Sequence, residues 1–317
     1  MNVAAAVVAG DLRSAARLIT RVEAGDSDIA PVLRALHARG GSTPVIGITG
    51  PPGAGKSTLL DQMLAHCRAA GERIAVLAVD PSSPFSGGAI LGDRVRMSRH
   101  NTDRGVFIRS MAARGRLGGL AQAAADALTV LDAMGWDRIL IETVGVGQSE
   151  IDILRHADTV LIVQTPAGGD AVQAVKAGIL EIGDVFVVNK ADTAGADRTV
   201  GALREAVEFR VHALCPDAWL PPVLKTDAAS GTGISELLQA IAAHRAHLQT
   251  HPAQQQARRR AQARARLIDC IGQALRLHRR AADQHDRFEA MLDEVAARRC
   301  DPQTAALRLL DALNPQP

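Results

Sequence analysis

A doubly wound α/β fold with a mostly parallel sheet is what this 317-residue sequence predicts, and three observations carry the prediction. Short runs rich in Val, Ile and Leu recur between stretches of helical periodicity. The runs are almost continuously apolar, which suits parallel strands buried on both faces. Residues 50–57, Gly-Pro-Pro-Gly-Ala-Gly-Lys-Ser, form a complete G-x-x-x-x-G-K-S loop set between one such run and a helical pattern. Strand, loop and helix in that order make one βα unit, and its repetition builds a sheet with helices on both faces.

The elements follow in order. Residues 2–40 place apolar positions at helical spacing, and Gly10 and Gly25-Asp26 punctuate them into about three short helices. The turn at Gly40–Pro44 leads into a first strand at Val45–Thr49. Ile74–Val79, Val106–Ile108, Ile139–Ile141, Val160–Val163, Val185–Val188 and Val223–Leu224 read as further strands. Helical patterns over 57–70, 118–134, 171–182 and 197–213 supply the crossovers. From His251 to Arg280 the chain turns rich in Gln, Ala and Arg, including Arg258-Arg259-Arg260 and Arg279-Arg280. Leu267, Ile271 and Leu275 recur every four residues with Ile268 alongside, so this is an amphipathic helix with a basic face. A further helix carries Phe288, Met291, Leu292 and Val295, and a last one runs Ala305–Leu313. The expected organisation is an N-terminal helical extension (1–43), a phosphate-loop domain (44–249) and a C-terminal helical arm (250–317). The arm has more apolar surface than it can bury against itself, which predicts a homodimer.

Composition narrows the function. A formal net charge of +2 argues against a general nucleic-acid binder, and the Arg-rich arm reads as a solvated face beside an oligomer interface. Aromatic residues make up 2% with no Tyr, so base-stacking platforms are scarce and the core must be aliphatic. Cys67, Cys215, Cys270 and Cys300 lie far apart with no C-x-x-C pair, as expected of buried or incidental thiols in a reducing cytosol. The apolar run Val3–Ala9 has no basic residue before it and is too short for a signal peptide. No stretch approaches a membrane span. The expectation is a cytoplasmic protein with neither nucleic acid nor membrane as partner.

The chemistry begins at the glycine loop. Gly50, Gly53 and Gly55 let backbone N–H groups close around a β-phosphate where side chains would collide, and the helix N-terminus adds partial positive charge. The whole stretch Gly50, Pro51, Pro52, Gly53, Ala54, Gly55, Lys56, Ser57 and Thr58 is the candidate phosphate site. Lys56 is placed to reach the β/γ oxygens and the Ser57 hydroxyl to bind Mg²⁺. Asn189-Lys190-Ala191-Asp192 follows directly on the strand Val185–Val188 and has the N-K-x-D form. The Asp192 carboxylate can accept from guanine N1–H and N2–H₂ together, a donor pair that adenine lacks. The Lys190 stem covers the base face and Asn189 tethers loops.

Ile139–Ile141 ends in Glu142-Thr143-Val144-Gly145. Glu142 stands where the second Mg²⁺-site acid of phosphate-loop NTPases belongs, acting through water. The Gly145 N–H can sense a γ-phosphate and release its loop on hydrolysis. Val146 follows that glycine where Ras-like switches have a water-orienting Gln, and Gln148 comes two residues later, so slow basal hydrolysis completed by a partner is expected. Asp80 ends the second strand and Asp93 follows Gly87-Gly88; either can approach Mg²⁺ or its waters, and the alternative for Asp80 is a turn cap. Lys56, Glu142, Gln148 and Asp93 are the candidate catalytic residues. Arg94 to Arg116 holds seven arginines, of which one can serve as a charge-stabilising finger.

Taken together these residues resemble the MeaB/ArgK family of phosphate-loop GTPases, chaperones of methylmalonyl-CoA mutase and related adenosylcobalamin mutases. The matching pieces are Gly50–Ser57, Val79–Ser83, Gly87–Asp93, Arg114–Gly119, Glu142–Glu150 and Asn189–Asp192. The resemblance implies a homodimeric GTPase that cycles between GTP and GDP, docks on an acyl-CoA mutase, gates cofactor loading and helps remove damaged cofactor. It also implies Mg²⁺ contacts from Ser57, Asp80, Asp93 and Glu142, and a base-side loop at Asp227-Ala228. Two departures stand out. In Gly168–Lys176, a third switch of the family, the Glu-Leu that usually follows the aspartate is missing; and Thr226-Asp227-Ala228 stands where Ser-Ala is usual. Both fit a client other than methylmalonyl-CoA mutase itself.

Two rival classes meet the same residues. A small-molecule kinase or ATPase, as ArgK-type proteins were once read, has no use for the guanine reader at Asn189–Asp192. A metallochaperone GTPase for nickel, cobalt or zinc calls for His-rich or Cys-rich motifs, whereas the ten histidines here are scattered.

Overall fold

A computed structural model describes residues 2–41, 43–80, 98–100, 102–112, 119–143, 154–166, 179–212, 218–282, 286–297, 299–301, 304–305 and 308–309. Among these, seven strands form one parallel sheet: β1 (Val45–Thr49), β2 (Ile74–Asp80), β3 (Val106–Ala112), β4 (Arg138–Thr143), β5 (Thr159–Gln164), β6 (Val185–Val188) and β7 (Val223–Lys225), in the order β3-β2-β4-β1-β5-β6-β7. Each predicted strand is present. β3 and β4 run longer than their apolar runs because Arg109, Ser110 and Glu142 still take part in the ladder. The order reverses at β1, which lies between β4 and β5. In open α/β sheets a ligand crevice opens at such a switch point, outside the carboxyl ends of the strands.

Three short helices precede the sheet: α1 (Val3–Val8), α2 (Leu12–Ala24) and α3 (Ala30–His37). Asp11 caps α2 by accepting from the Arg13 and Ser14 N–H groups at 3.1 and 3.3 Å, and Gly25 ends it with φ 68°. Their apolar stripes (Val7, Leu18, Ile19, Val22, Leu36) share one core with Ala127 and Leu131 of α5 (Gly119–Asp132) and with Leu77 and Ile141 of the sheet. Asp132 at the end of α5 accepts from the Thr43 N–H at 3.0 Å and also from that of Gly41. The N-terminal helices thus cover one face of the sheet.

The opposite face is covered by α4 (Lys56–Ala69) and α8 (Ile234–Thr250), which bury Leu59, Leu60, Met63, Ile234, Leu237 and Ile241 against Ile46, Ile48, Val76 and Leu161. α8 is an element absent from the strand–helix reading above, although Ile234, Leu237, Ile241 and His244 stand at helical spacing on its buried side. Cys67 of α4 belongs to this core, and burial pushes its thiol up to about 12, so it stays protonated. The described part of the 171–182 pattern is α6 (Ile179–Ile182), and α7 (Ala196–His212) packs Val200, Leu203 and Val207 on β5 and β6. Two long helices follow, α9 (Pro252–Ala282) and α10 (Asp286–Ala296). The chain divides into two compact units, Met1–Gln262 and Ala263–Pro317. Among the described residues no helix is long and apolar enough to cross a membrane.

Candidate nucleotide site

The carboxyl ends of β1, β4, β6 and β7 bring the predicted residues together. After β1 the chain turns through Gly50–Gly55 into α4. Glycine is required at both ends of this loop. A Cβ on Gly50 would stand 2.0 Å from the Val163 carbonyl oxygen of β5, and one on Gly55 (φ 81°) would stand 2.4 Å from Nδ2 of Asn189. The loop is therefore wedged between two neighbouring strand ends.

Lys56 and Ser57 are buried in the first turn of α4. The Lys56 ammonium donates to the carbonyl oxygens of Gly50 at 2.8 Å and Pro51 at 3.0 Å, arching across its own loop. That position holds positive charge over the cradle that a phosphate would fill. The Ser57 hydroxyl donates to Oε1 of Glu142 at 2.7 Å, a contact between residues 85 apart in the chain. It forms because β4 is the hydrogen-bonded neighbour of β1, with Ile48 opposite Glu142. Glu142 is 2% exposed. A serine hydroxyl and a carboxylate are hard oxygen donors, and the pair fits the needs of Mg²⁺, which binds through few protein oxygens and keeps several waters.

Asn189, at the end of β6, joins three pieces of chain. Its Nδ2 donates to the Ala54 carbonyl at 2.8 Å, and its Oδ1 accepts from the Thr226 hydroxyl at 3.1 Å and the Ala228 N–H at 3.0 Å. The Ala191 N–H donates to the Thr226 carbonyl at 3.0 Å. Lys190 has φ 58°, a left-handed conformation that bends the chain away from the strand. Asp192 is exposed at this rim, as are Lys190, Pro52, Gly53 and Thr58, and Pro51 is half-buried. Asp227 closes its own loop: its carboxylate accepts from the Ala229 N–H at 3.0 Å, and its N–H donates to the Thr232 carbonyl at 3.0 Å. The Ser230 hydroxyl beside it, with the Ala229 and Ser230 N–H groups, holds the Asp227 carboxyl below the usual carboxylate range. The site is thus a glycine-rich loop joined by one asparagine to an exposed rim carrying a carboxylate.

Asp80 ends β2, with Ala112 of β3 as its backbone partner. Asp93, Gly145, Val146, Gln148 and Gly168–Lys176 lie outside the described residues. The reading from sequence did not single out Thr226 as a partner of Asn189, nor Asp61, one turn along α4 from Ser57, which accepts from Arg99 Nε at 2.9 Å and lies 3.2 Å from His100 Nε2. The spacing of Ser57 and Asp61 on one helix was the only available signal.

The profile of a protein family described as "Methylmalonyl Co-A mutase-associated GTPase MeaB" matches residues 15–284. A Pyrococcus abyssi protein, provisionally named a GTPase, is 46% identical over 95% of this chain and 93% of its own length. A mouse mitochondrial protein named as the methylmalonic aciduria type A homolog is 42% identical over 61% of this chain and 46% of its own. Among solved structures, one titled LAO/AO transport system kinase superposes with a TM-score of 0.68 at 27% identity, covering 98% of this chain and 96% of the other.

Proposed function

The chain belongs to the MeaB family and is a GTPase, and from that premise we propose that it serves as the G-protein chaperone of an adenosylcobalamin-dependent acyl-CoA mutase. In this reading it gates cofactor loading and protects or reactivates the mutase. The family description and the mouse relative's name both point to methylmalonyl-CoA metabolism, which supports a mutase as partner. The observation that carries the nucleotide side of the reading is the Asn189 joint. One side chain ties the phosphate loop to the rim where Asp192 stands, so occupancy by a base and occupancy by phosphates are read by one connected framework.

The residues divide the work as follows. The Gly50–Gly55 amides and Lys56 bind and orient the phosphates, and Lys56 neutralises charge on the γ-phosphoryl as it departs. Ser57 and Glu142, together with Asp80 and Asp93, would hold Mg²⁺, which would supply charge neutralisation for the phosphates. Asp192 selects guanine while Lys190 covers the base and the Asp227-Ala228 loop borders it. Gly145 senses the γ-phosphate, and Gln148 acts on the attacking water only when a partner orders its loop. The C-terminal arm, 250–317, holds a homodimer, and the protein works in the cytoplasm.

The test is phosphate release by the full-length protein, alone and with each acyl-CoA mutase of its organism, using Lys56→Ala as a folded, inactive control. Slow turnover alone and a rise toward the roughly 10³–10⁵-fold that a completed site can supply is the expected result. An unchanged rate with every mutase removes the chaperone reading and leaves the GTPase.

A further inference from the structure

One buried polar group on the nucleotide face of the sheet takes no part in the site described so far. β3 pairs with β2 and β2 with β4 in parallel register, so Ser110, Ala78 and Glu142 stand in one row. Registered neighbours in a parallel sheet project to the same face, and successive residues along a strand alternate. The surroundings agree. Val76 and Leu140, two positions back in that row's face, pack beneath α4. Arg109, one residue before Ser110, points the other way and pairs with Glu23 of α2 at 2.6 Å. Ser110 therefore shares its face with Glu142 and with Ser57 of α4.

The Ser110 side chain is nine-tenths buried, at 9% exposure, and its Oγ has no hydrogen-bond partner among the described residues. Ala78, the β2 residue of this row, contributes only a methyl between this hydroxyl and the Glu142 carboxylate. Positions two strands apart lie about 10 Å from each other. A serine, a glutamate and one or two waters span that distance. A buried hydroxyl left unpaired is costly, and alanine would fill the same space without that cost.

We propose that Ser110 is a further positioning residue of the nucleotide site, its hydroxyl bonding a water of the hydrated Mg²⁺ that enters with the nucleotide. The inference rests on the reading of Ser57 and Glu142 as the magnesium side of that site. Mg²⁺ sheds its waters reluctantly, so a site with few protein oxygens needs groups that receive the remaining waters, and a hydroxyl two strands from the carboxylate on the same face is within reach of one. Ser110 touches neither phosphate nor base, and so it acts on metal affinity and not on nucleotide selection.

The experiment uses the full-length protein with Ser110→Ala, Ser110→Thr and Ser57→Ala. Thermal unfolding of the free protein, GDP affinity in EDTA, and Mg²⁺ titration of the GDP complex by calorimetry are measured. Ser110→Ala should unfold no earlier than wild type and bind GDP equally in EDTA. Its Mg²⁺ affinity should fall about 3- to 10-fold, the loss expected for one water-mediated bond. Ser110→Thr, which keeps the hydroxyl on a strand-compatible side chain, should restore it. Unchanged Mg²⁺ affinity in Ser110→Ala, or a protein that merely unfolds earlier, overturns the proposal. If Ser57→Ala also leaves Mg²⁺ binding intact, the underlying magnesium reading fails with it; if only Ser57→Ala weakens binding, that reading stands and Ser110 alone is excluded.

Discussion

Asp192 and Asn189 are three residues apart and do different jobs. Asn189 is held by the protein itself, through bonds to Ala54, Thr226 and Ala228. It holds the loops, and in the proposed function the reading of a base falls to the exposed Asp192. The Asp192→Asn variant should therefore lose GTP affinity while keeping its fold. It should gain xanthosine triphosphate, because an amide reverses one donor–acceptor pair. Each lost bond should cost about 1–3 kcal/mol. Competition binding with GTP, ATP and xanthosine triphosphate checks this, and ATP matching GTP on the wild type would sink the guanine assignment. Both residues were legible in the sequence because the N-K-x-D string directly follows an apolar strand. Thr226, the partner of Asn189, was not: only the pairing of β6 with β7 brings it alongside.

Among the elements, the joint between α8 and α9 is tied to the base of the sheet. Asp184, just before β6, accepts both arms of Arg258 at 2.9 and 2.6 Å and the Val160 N–H at 2.8 Å. Gln262 donates to the Ala157 carbonyl at 2.9 Å, and the Trp219 indole to the Asp184 carbonyl at 2.8 Å. His244 of α8 completes this cluster, 2.9 Å from the Thr159 hydroxyl through Nδ1 and 3.5 Å from Asp184 through Nε2. Burial lowers His244 to about 4, with Arg258 and His247 acting in the same direction and Asp184 against it. A histidine lowered in the fold favours its neutral form there. Its contribution is present above the ordinary value of 6.5 and is lost as pH falls from there toward 4. The shift corresponds to no more than about 3 kcal/mol. Asp158, raised by burial, acts with the opposite sign: its contribution is lost as pH rises. Unfolding midpoints should thus drop between pH 6.5 and 4, and His244→Asn, which retains a polar atom near Thr159, should flatten that drop. An equal slope in the variant would assign the acid sensitivity to other groups.

On the scale of the whole molecule, the second unit shows Leu267, Ile268 and Ile271 at 61%, 55% and 50% exposure along one helix, with Leu292 of α10 at 48%. Exposed apolar residues at helical spacing, as at Leu267, Ile268 and Ile271, are what an association surface would use. The proposed homodimer predicts that Leu267→Glu combined with Ile271→Glu yields a monomer in sedimentation velocity. GDP binding should be unchanged, since the nucleotide site lies wholly within Met1–Gln262. Wild-type protein sedimenting as a monomer at micromolar concentration would exclude the dimer.

The sequence by itself determined the strands, the phosphate loop, the guanine string and the three N-terminal helices. Each of these is a local pattern: apolar runs, glycines where a side chain would collide, and glycines that punctuate one helix from the next. Strand order is not local. That β4 lies beside β1 decides that Ser57 meets Glu142, and that β2 lies between β3 and β4 decides that Ser110 shares their face. The docking of the N-terminal helices on α5 and the anchoring of α9 through Asp184 likewise needed the assembled sheet. Those contacts join residues tens of positions apart, and their energy exists only once the two faces of the sheet have been covered.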